Sequence, residues 1–255
     1  MVEASSQGSS QSALGRGFQL LQWVVEHDRP VSSVEAAEAL KLPKPTVHRV
    51  ALQLEEIGLL QRAPNSRKFV GGPQLRDLSL AALSHGLIGS DRHAILQNLS
   101  EEIEETCNCT VLDGNRLVYF DRVEANWPMR IHLPVGSRVP LHATAGGKMF
   151  LAMVPSAQRQ RLLDSLDFEA HTALTITDRD ALEQQLAQIR KSGVSEDRGE
   201  FLDGLIALAV PVFDQRKRVC FVIAVHAPTV RRSIEELYQF LPAVRRAAEQ
   251  LSQTL

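Results

Sequence analysis

Residues 142–148 read His-Ala-Thr-Ala-Gly-Gly-Lys, and these residue types in this order suit the binding of an anion. Small residues at a turn from a strand into a helix let a ligand approach free backbone N–H groups. The N-terminus of the helix also favours a negative group such as a carboxylate. Glycines at this point serve equally well to pack a helix tightly on a sheet. The residues alone leave these two alternatives open.

A second distinctive stretch, residues 41–68, concentrates positive charge. It holds six lysines and arginines against two glutamates and so carries +4. Because the whole chain carries -2, the remaining residues carry -6. A basic patch on an otherwise acidic chain is typical of one surface that faces nucleic acid. For charge alone, the alternative is an ordinary solvated face.

Hydrophobic periodicity predicts three short helices that could position this basic stretch. The first places Leu14, Phe18 and Leu21 on one helical face. The second opens with the capping box Ser32-x-x-Glu35. The third follows a Leu-Pro-Lys-Pro turn and carries apolar residues at i, i+3, i+4 and i+7, namely Val47, Val50, Ala51 and Leu54.

A basic hairpin is predicted after the third helix, with its turn at residues 64–66. Three helices followed by such a hairpin are the order of a winged helix-turn-helix, which we expect over residues 13–72. A helix in the major groove reads bases with polar side chains on its outward face, and a wing reaches the backbone or the minor groove. The candidate DNA-binding residues are Lys44, Thr46, His48, Arg49 and Gln53 on the helix and Arg62, Asn65, Ser66, Arg67 and Lys68 on the wing. The alternative is a structural three-helix element with a solvated face.

The rest of the chain mixes helices and strands without strict alternation, which predicts an α+β domain with a largely antiparallel sheet. A linker helix is expected at residues 73–85 and the second domain at residues 86–255, with residues 1–12 as a disordered leader. The predicted strands are 109–112, 117–123, 130–135, 206–213 and 219–227. The predicted helices are 88–105, 144–153, one capped by Thr177 that closes at Gly193, and one that opens at Ser233 and bends at Pro242.

Composition and motifs narrow the classes of function. Hydrophobic residues make up 44% of the 255 residues, and no apolar run is long enough for a membrane span, so we expect a cytoplasmic protein without a membrane partner. The pair Cys107-Asn108-Cys109 has no second cysteine pair beside it, so we expect packing and neither a metal site nor a cofactor. Motifs of hydrolases, zinc proteases and P-loop enzymes are absent, so no catalytic residues are predicted. An enzyme, or an interaction protein with an incidental helix-turn-helix-like domain, is the alternative.

Several segments together resemble the IclR family of bacterial transcriptional regulators, over residues 14 to about 250. The N-terminal segments are LKLPKPTVHRVALQLEEIGLL and QRAPNSRKFVGGP. The C-terminal segments are VLDGNRLVYFDRVE, VGSRVPLHATAGGKMFLA, LTIT and EDRGEFLDGLIALAVPVFD. The resemblance implies a GAF-like effector domain, dimers or dimers of dimers, and binding to palindromic operators. It thus implies an activator or repressor of catabolic genes that senses a small organic acid.

The resemblance also implies an effector site. The positions that match the family's site are Ala145, Gly146, Asp197, Ala207, Ala224 and His226. The last two depart from the hydroxyl-bearing residues of some relatives, which leaves more apolar room and adds a donor. Apolar walls are expected from Met129, Ile131 and Leu141. This departure favours a different and larger carboxylate, with an aromatic acid as one candidate.

Overall fold

The computed structural model describes residues 12–27, 29–85, 88–127, 131 and 133–255, without the side chains of 83–85 and 88–90. The predicted leader, apart from Ser12, and the predicted site residue Met129 lie outside the described residues. The chain divides into two compact units, Met1–Ala82 and Leu83–Leu255. Each unit has its own hydrophobic core.

The N-terminal unit has three helices, a two-stranded wing and the start of a linker helix. The elements are α1 (Ala13–Val25), α2 (Ser33–Leu40), α3 (Lys44–Glu56), β1 (Leu60–Arg62), β2 (Phe69–Gly71) and α4 (Pro73–His85). The predicted capping box at Ser32 and Glu35 is present and opens α2. The wing strands pair antiparallel, with Leu60 opposite Gly71. The predicted winged helix-turn-helix is confirmed.

The buried face of α1 differs from the simplest interpretation of its periodicity. Leu20 and Val24 are buried in the core, whereas Leu14, Phe18 and Val25 are 84%, 66% and 53% exposed. Leu14 and Phe18 do share one side of the helix, but that side faces away from the core of this unit. Periodicity identifies an apolar stripe without saying what covers it.

The C-terminal unit is built on one six-stranded sheet in the order β5-β4-β3-β8-β7-β6, with every neighbouring pair antiparallel. The strands are β3 (Thr106–Asp113), β4 (Arg116–Val123), β5 (Arg138–Pro140), β6 (Ser195–Arg198), β7 (Leu205–Phe213) and β8 (Val219–Pro228). The helices are α5 (Ile88–Ile103), α6 (Ala145–Met153), α7 (Ser156–Asp164), α8 (Arg179–Ser192), α9 (Ile234–Gln239) and α10 (Leu241–Gln253). The predicted α+β class with an antiparallel sheet is confirmed.

Helices cover both faces of this sheet. Helices α5, α9 and α10 pack on one face over a core that includes Cys107 and Cys109. Helices α6 and α8 pack on the other face over Ala207, Ala209 and Ala224. Small side chains on the second face let the start of α6 approach the strands closely, and this approach creates the candidate site described below.

Some predicted elements are wrong. The described part of residues 130–135 is not a strand, and the short strand in this region is β5. Helix α8 is capped by Asp178, one residue after Thr177. The C-terminal helical segment is two helices, with Pro242 in the first turn of α10, where the missing N–H of proline is tolerated. Helix α7 and strand β6 were not predicted, because both are short and largely polar.

Candidate nucleic-acid interface and candidate ligand cavity

Helix α3 has one apolar face and one polar face. Val47, Val50, Ala51 and Leu54 are all buried in the core of the N-terminal unit. The predicted DNA-binding residues of this helix lie outside that core: Lys44, His48, Arg49 and Gln53 are exposed and Thr46 is half-buried. An exposed polar face on a helix that is anchored by its other face can enter a major groove without unfolding anything.

The N-terminus of α3 is open. Its N-cap is Pro43, whose side chain makes no capping hydrogen bond. The first N–H groups of an α-helix have no partner inside the helix, so those of Lys44 and Thr46 point outward along the axis. Such an end can receive a phosphate oxygen of a nucleic-acid backbone.

Five residues were predicted for the wing, and the structure separates Arg62 from the other four. Asn65, Arg67 and Lys68 are exposed and Ser66 is half-buried. Asn65 adopts a left-handed backbone conformation with φ 53° at the turn, which Asn tolerates better than most residues. No ion pair is found for Arg67, Lys68 or the helix residue Arg49 within the described residues, so their charges are available to an anionic partner.

Arg62 makes several contacts within the N-terminal unit. Its Nε lies 3.0 Å from Oε1 of Glu55, and its Nη1 donates to the carbonyl of Arg67 over 2.9 Å. The guanidinium also lies 4.6 Å from the ring centroid of Phe69. These contacts join the wing to α3, a connection that the charge count of the sequence could not show.

The second candidate site lies in the C-terminal unit, where side chains of β3 alternate between the two sheet faces. Cys107 and Cys109 point into the apolar core beneath α5 and α10. Asn108 and Thr110 therefore point to the opposite face, where they line a cavity under the start of α6. Both are buried, at 1% and 2% exposed. This alternation is visible in the sequence Thr-Cys-Asn-Cys-Thr and could have revealed both residues.

The start of α6 forms one wall of the cavity. Thr144 caps the helix, accepting a hydrogen bond from the N–H of Gly147 over 3.1 Å. The N–H groups of Ala145 and Gly146 belong to the first turn and have no partner inside the helix. A Cβ on Gly146 would lie 3.2 Å from Oγ1 of Thr110, so Gly146 faces the cavity. A Cβ on Gly147 would lie 2.4 Å from the carbonyl oxygen of Leu141, so Gly147 serves helix packing. Gly147 thus fits the packing alternative, whereas Gly146 leaves the space that the anion-binding alternative requires.

Strand β8 contributes His226, which is 5% exposed. The side chains of Asn108 and His226 contact each other, with 3.3 Å between Nδ2 and Nδ1. Burial, together with the charges of Arg122 and Arg231, lowers the pKa of His226 to about 3, so the imidazole is neutral. Oδ1 of Asn108, Oγ1 of Thr110 and Nε2 of His226 have no hydrogen-bond partner among the described residues. Three such atoms around one cavity suit a polar ligand, because leaving buried polar groups unpaired is unfavourable.

Asp197 stands at the edge of the cavity on β6. Its Oδ1 accepts hydrogen bonds from the N–H groups of Gly199 and Glu200, over 3.0 and 2.7 Å. Burial raises the pKa of Asp197 to about 6, with a contribution from the nearby charge of Glu200. Glu200 in turn forms an ion pair with the fully buried Lys148 of α6. This cluster holds the loop after β6 against the cavity.

The structure brings together most of the predicted effector residues. The cavity, with a volume of about 30 Å³, is lined by Ala145, Gly146, Asp197, Ala207, Ala224 and His226, and also by Asn108, Thr110, Leu117, Tyr119, Val139, Thr144, Phe201 and Leu205. Leu141 and Ile131 are not among the described residues that line it. Leu141 is buried in the core beside Gly147, and the carbonyl of Ile131 accepts from Nη2 of Arg122. Apolar character alone could not separate a cavity wall from the core.

Cys107 and Cys109 are free, buried thiols, and burial raises the pKa of each. No group of three or more potential metal ligands occurs in the described part of the chain. Among the described helices, none is long and apolar enough to cross a membrane.

Comparison with known proteins gives a family match for each of the two units. The IclR helix-turn-helix domain matches residues 13–64, and the C-terminal domain of the bacterial transcriptional regulator IclR matches residues 80–253. A probable transcriptional regulator, SauR of Cupriavidus necator, is 44% identical over 245 residues, which cover 96% of this chain and 97% of that protein. The chain therefore belongs to the IclR family of transcriptional regulators.

Two solved structures extend the comparison. The IclR protein of Thermotoga maritima is 26% identical, with a TM-score of 0.64 over 95% of this chain and 98% of that chain. The inducer-binding domain of PobR from Acinetobacter, a double mutant solved with 3-hydroxybenzoic acid, is 26% identical. It has a TM-score of 0.58 over 63% of this chain and 94% of that chain.

Proposed function

We propose that this protein is a cytoplasmic regulator of catabolic genes that binds operator DNA through α3 and the wing and responds to a small organic acid. The observation that carries the proposal is the polar face of α3, where Arg49 is exposed with no ion pair among the described residues and Lys44 has only a long contact of 3.9 Å with Glu38, beside a helix N-terminus without a side-chain cap. No catalytic residues are part of the proposal. The relatives reported above, named as regulators, support the non-enzymatic role.

DNA contacts are proposed for two elements, α3 and the wing. On α3, Arg49 and Gln53 suit the reading of base edges, with Lys44, Thr46 and His48 beside them. On the wing, Arg67 and Lys68 suit phosphates, with Asn65 and Ser66 at its tip. Arg62 is proposed to act indirectly, by holding the wing in place through Glu55.

Pairing of two copies is proposed to present two α3 helices to a palindromic operator. The exposed stripe on α1 supports this arrangement, because Leu14, Phe18 and Val25 are spaced like the seam of a helix pair, and Leu78 on α4 is also 63% exposed. One copy makes few phosphate contacts and would bind weakly alone. Two copies would bind half-sites about one helical turn apart. A dimer of dimers is compatible with the same seam.

The effector is proposed to bind in the cavity with its carboxylate at the N–H groups of Ala145 and Gly146. The complex of the PobR inducer-binding domain with a carboxylic acid supports an organic acid in this domain type. A cavity volume of about 30 Å³ favours a compact acid, and an aromatic ligand would require the walls to move apart. The ligand can change operator affinity only through a difference in its affinity for the DNA-competent and DNA-incompetent states.

The experiment that tests DNA binding is a gel-shift titration of the purified full-length protein. DNA from its own promoter region should bind tightly, and the affinity should fall steeply as salt rises because bound phosphates release counterions. Random DNA of equal length should bind much more weakly at each salt concentration. Equal affinities for both DNAs at every salt concentration would refute the regulator proposal.

A further inference from the structure

One end of the cavity holds two buried polar atoms whose hydrogen-bonding needs are opposite. Asn108 and His226 bond each other through Nδ2 and Nδ1, over 3.3 Å. The remaining atoms, Oδ1 of Asn108 and Nε2 of His226, have no partner among the described residues. Asn108 and His226 are only 1% and 5% exposed, so bulk water does not readily reach either atom.

The opposite needs of these two atoms follow from the neutral state of the imidazole. A neutral histidine has one donor and one acceptor nitrogen. If Asn108 donates to Nδ1, then Nε2 carries the hydrogen and Oδ1 of Asn108 accepts. If the amide group is turned by 180° and the imidazole hydrogen is on Nδ1, the amide oxygen accepts from Nδ1. The amide nitrogen is then the remaining donor and Nε2 the remaining acceptor. Either arrangement leaves one donor and one acceptor at this end of the cavity.

Only some ligand groups satisfy a donor and an acceptor together. A hydroxyl donates one hydrogen bond and accepts others, all through a single heavy atom. A carboxylate only accepts, an ammonium only donates, and a methyl group does neither. A primary amide has both functions but carries them on two different heavy atoms.

The charges around this end have both signs and do not call for an anionic group, because Asp197 is acidic whereas Arg122 and Arg231, whose charges act on His226, are basic. Asp197, Ala207 and His226 are aligned on three successive strands, so Asp197 stands at the same end. The nearby guanidinium of Arg122 would attract an anion, but it is paired with Glu124 over 3.3 Å. Moreover, the described residues that line the cavity do not include Arg122. A neutral polar group therefore fits better than a carboxylate.

The opposite end of the cavity suits the carboxylate. Thr110 marks it, because its Oγ1 lies 3.2 Å from the Cβ position of Gly146 and has no hydrogen-bond partner among the described residues. Asn108 and Thr110 are two residues apart on one strand face, a spacing of about 6.8 Å. On the neighbouring strand, the small side chain of Ala224 lies opposite Asn108 and leaves room for a short chain.

We propose that the effector is a short, linear hydroxy acid whose carboxylate binds Gly146 and Thr110 and whose hydroxyl bridges Asn108 and His226. The spacing corresponds to about three or four carbons. This inference rests on the proposed sensing of an organic acid and specifies which acids the site distinguishes. His226 is then the residue that sets specificity, because its ring can form two hydrogen bonds, one with Asn108 and one with the ligand.

Calorimetric titration of the full-length protein with matched acids tests this proposal. The hydroxy acids are 3-hydroxypropionate and 4-hydroxybutyrate, the plain acids are propionate and butyrate, and the diacids are malonate and succinate. At least one hydroxy acid should bind roughly tenfold or more tightly than the plain acid of equal length, since the plain acid leaves both buried atoms unpaired. The diacid should bind no better than the plain acid.

Two variants test whether the preference for a hydroxy acid over the plain acid arises at this end of the cavity. His226→Phe keeps a ring but removes both nitrogens, and it should reduce the preference for the hydroxyl to less than about threefold. Ser195→Ala is the matched control, because Ser195 is also buried with an unpartnered Oγ but does not line the cavity. This control should leave the preference unchanged. If His226→Phe does not fold, the comparison of acids on the unaltered protein still tests the hydroxy-acid proposal.

The outcomes distinguish a failure of the hydroxy-acid inference from a failure of the proposed acid sensing. A plain acid or a diacid that binds as tightly as the hydroxy acid would overturn the hydroxy-acid inference and leave acid sensing intact. If none of the six acids binds while promoter DNA is still bound, the proposed acid sensing fails for short acids and the inference fails with it.

Discussion

Helix α3 and the cavity beneath α6 both depend on polar side chains, but they hold them in opposite surroundings. On α3, Arg49 and its neighbours are exposed, and water satisfies them until DNA replaces it. In the cavity, Asn108, Thr110 and His226 are buried, and no described residue satisfies their remaining atoms. Burial makes each unpaired atom unfavourable, whereas exposure makes it nearly neutral.

This difference determines what mutations should reveal. Substitutions on α3 should change DNA affinity and its salt dependence while leaving stability nearly unaltered, since exposed side chains contribute little to folding. Substitutions in the cavity should change stability, ligand affinity and pH dependence together. A protein in which both regions behaved alike would contradict this interpretation.

The largest effect is expected from the two adjacent glycines of α6. Gly147→Ala places a Cβ 2.4 Å from the backbone oxygen of Leu141, so the C-terminal unit should lose about 3 kcal/mol or more of stability. Gly146→Ala meets only side chains, at 3.2 Å, and should fold while binding acids more weakly. Thermal unfolding and calorimetry check both. Equal stability of the two variants would show that the helix start is not packed as described.

The exposed stripe of α1 should have the next largest effect. Phe18→Gln should leave the N-terminal unit folded, because Phe18 is 66% exposed, but it should weaken pairing of two copies. Loss of simultaneous binding to two half-sites should reduce operator affinity by about a hundredfold or more. Sedimentation analysis and gel shifts measure the two effects.

A matched control for the stripe is Ile57→Gln, since Ile57 is also exposed, at 58%, but lies outside α1. This control should leave both assembly and operator affinity unchanged. If Phe18→Gln and Ile57→Gln behave alike, the stripe on α1 is not the pairing surface.

Base reading by α3 should have a smaller and more selective effect. Arg49→Ala should reduce operator affinity by about 1–3 kcal/mol if the guanidinium contacts a base edge. Arg49→Lys keeps the charge but loses the two-pronged donor geometry, so it should keep the salt dependence and lose discrimination between operator and random DNA. Gel shifts at several salt concentrations separate the two. Unchanged operator affinity in Arg49→Ala would remove Arg49 from the contact surface.

The smallest effect is a pH dependence confined to the cavity. The pKa of Asp197 is raised to about 6, so its contribution to stability grows as pH falls from about 6 to about 4. The pKa of His226 is lowered to about 3, so its contribution is lost as pH falls from 6.5 toward 3. The two contributions oppose each other in the unaltered protein.

Variants separate these opposed contributions. Asp197→Asn keeps an oxygen for the N–H groups of Gly199 and Glu200, and its stability should fall more steeply with decreasing pH than that of the unaltered protein. His226→Gln should show the reverse, a shallower fall. Urea unfolding of the C-terminal unit between pH 4 and 7 measures both slopes. Parallel curves for all three proteins would contradict the described burial of these groups.

The sequence predicted α3 better than it predicted the cavity, for a physical reason. The faces of α3 follow from helical periodicity over one segment, so Val47 and Arg49 could be assigned without any long-range contact. The cavity depends on residues that are distant in sequence, such as Asn108, Gly146 and His226, and only the order of the strands brings them together. Family resemblance supplied Gly146 and His226, but it did not supply Asn108 or Thr110.

Local patterns also failed where a pattern had two physical meanings. The apolar spacing of Leu14 and Phe18 is the same for a core face and for a face that pairs with another copy. The positive charge of Arg62 is the same for a DNA contact and for an internal ion pair with Glu55. In each case the role depends on contacts with a specific neighbour, which the sequence does not show.

The central claim is that a ligand in the cavity controls the affinity of α3 and the wing for the operator. It is tested most directly by measuring promoter binding of the full-length protein by fluorescence anisotropy, with and without a saturating acid that calorimetry has shown to bind. Operator affinity should shift by at least about fivefold in the unaltered protein and should not shift in Gly146→Ala at the same acid concentration. An identical operator affinity with and without the bound acid would contradict the claim.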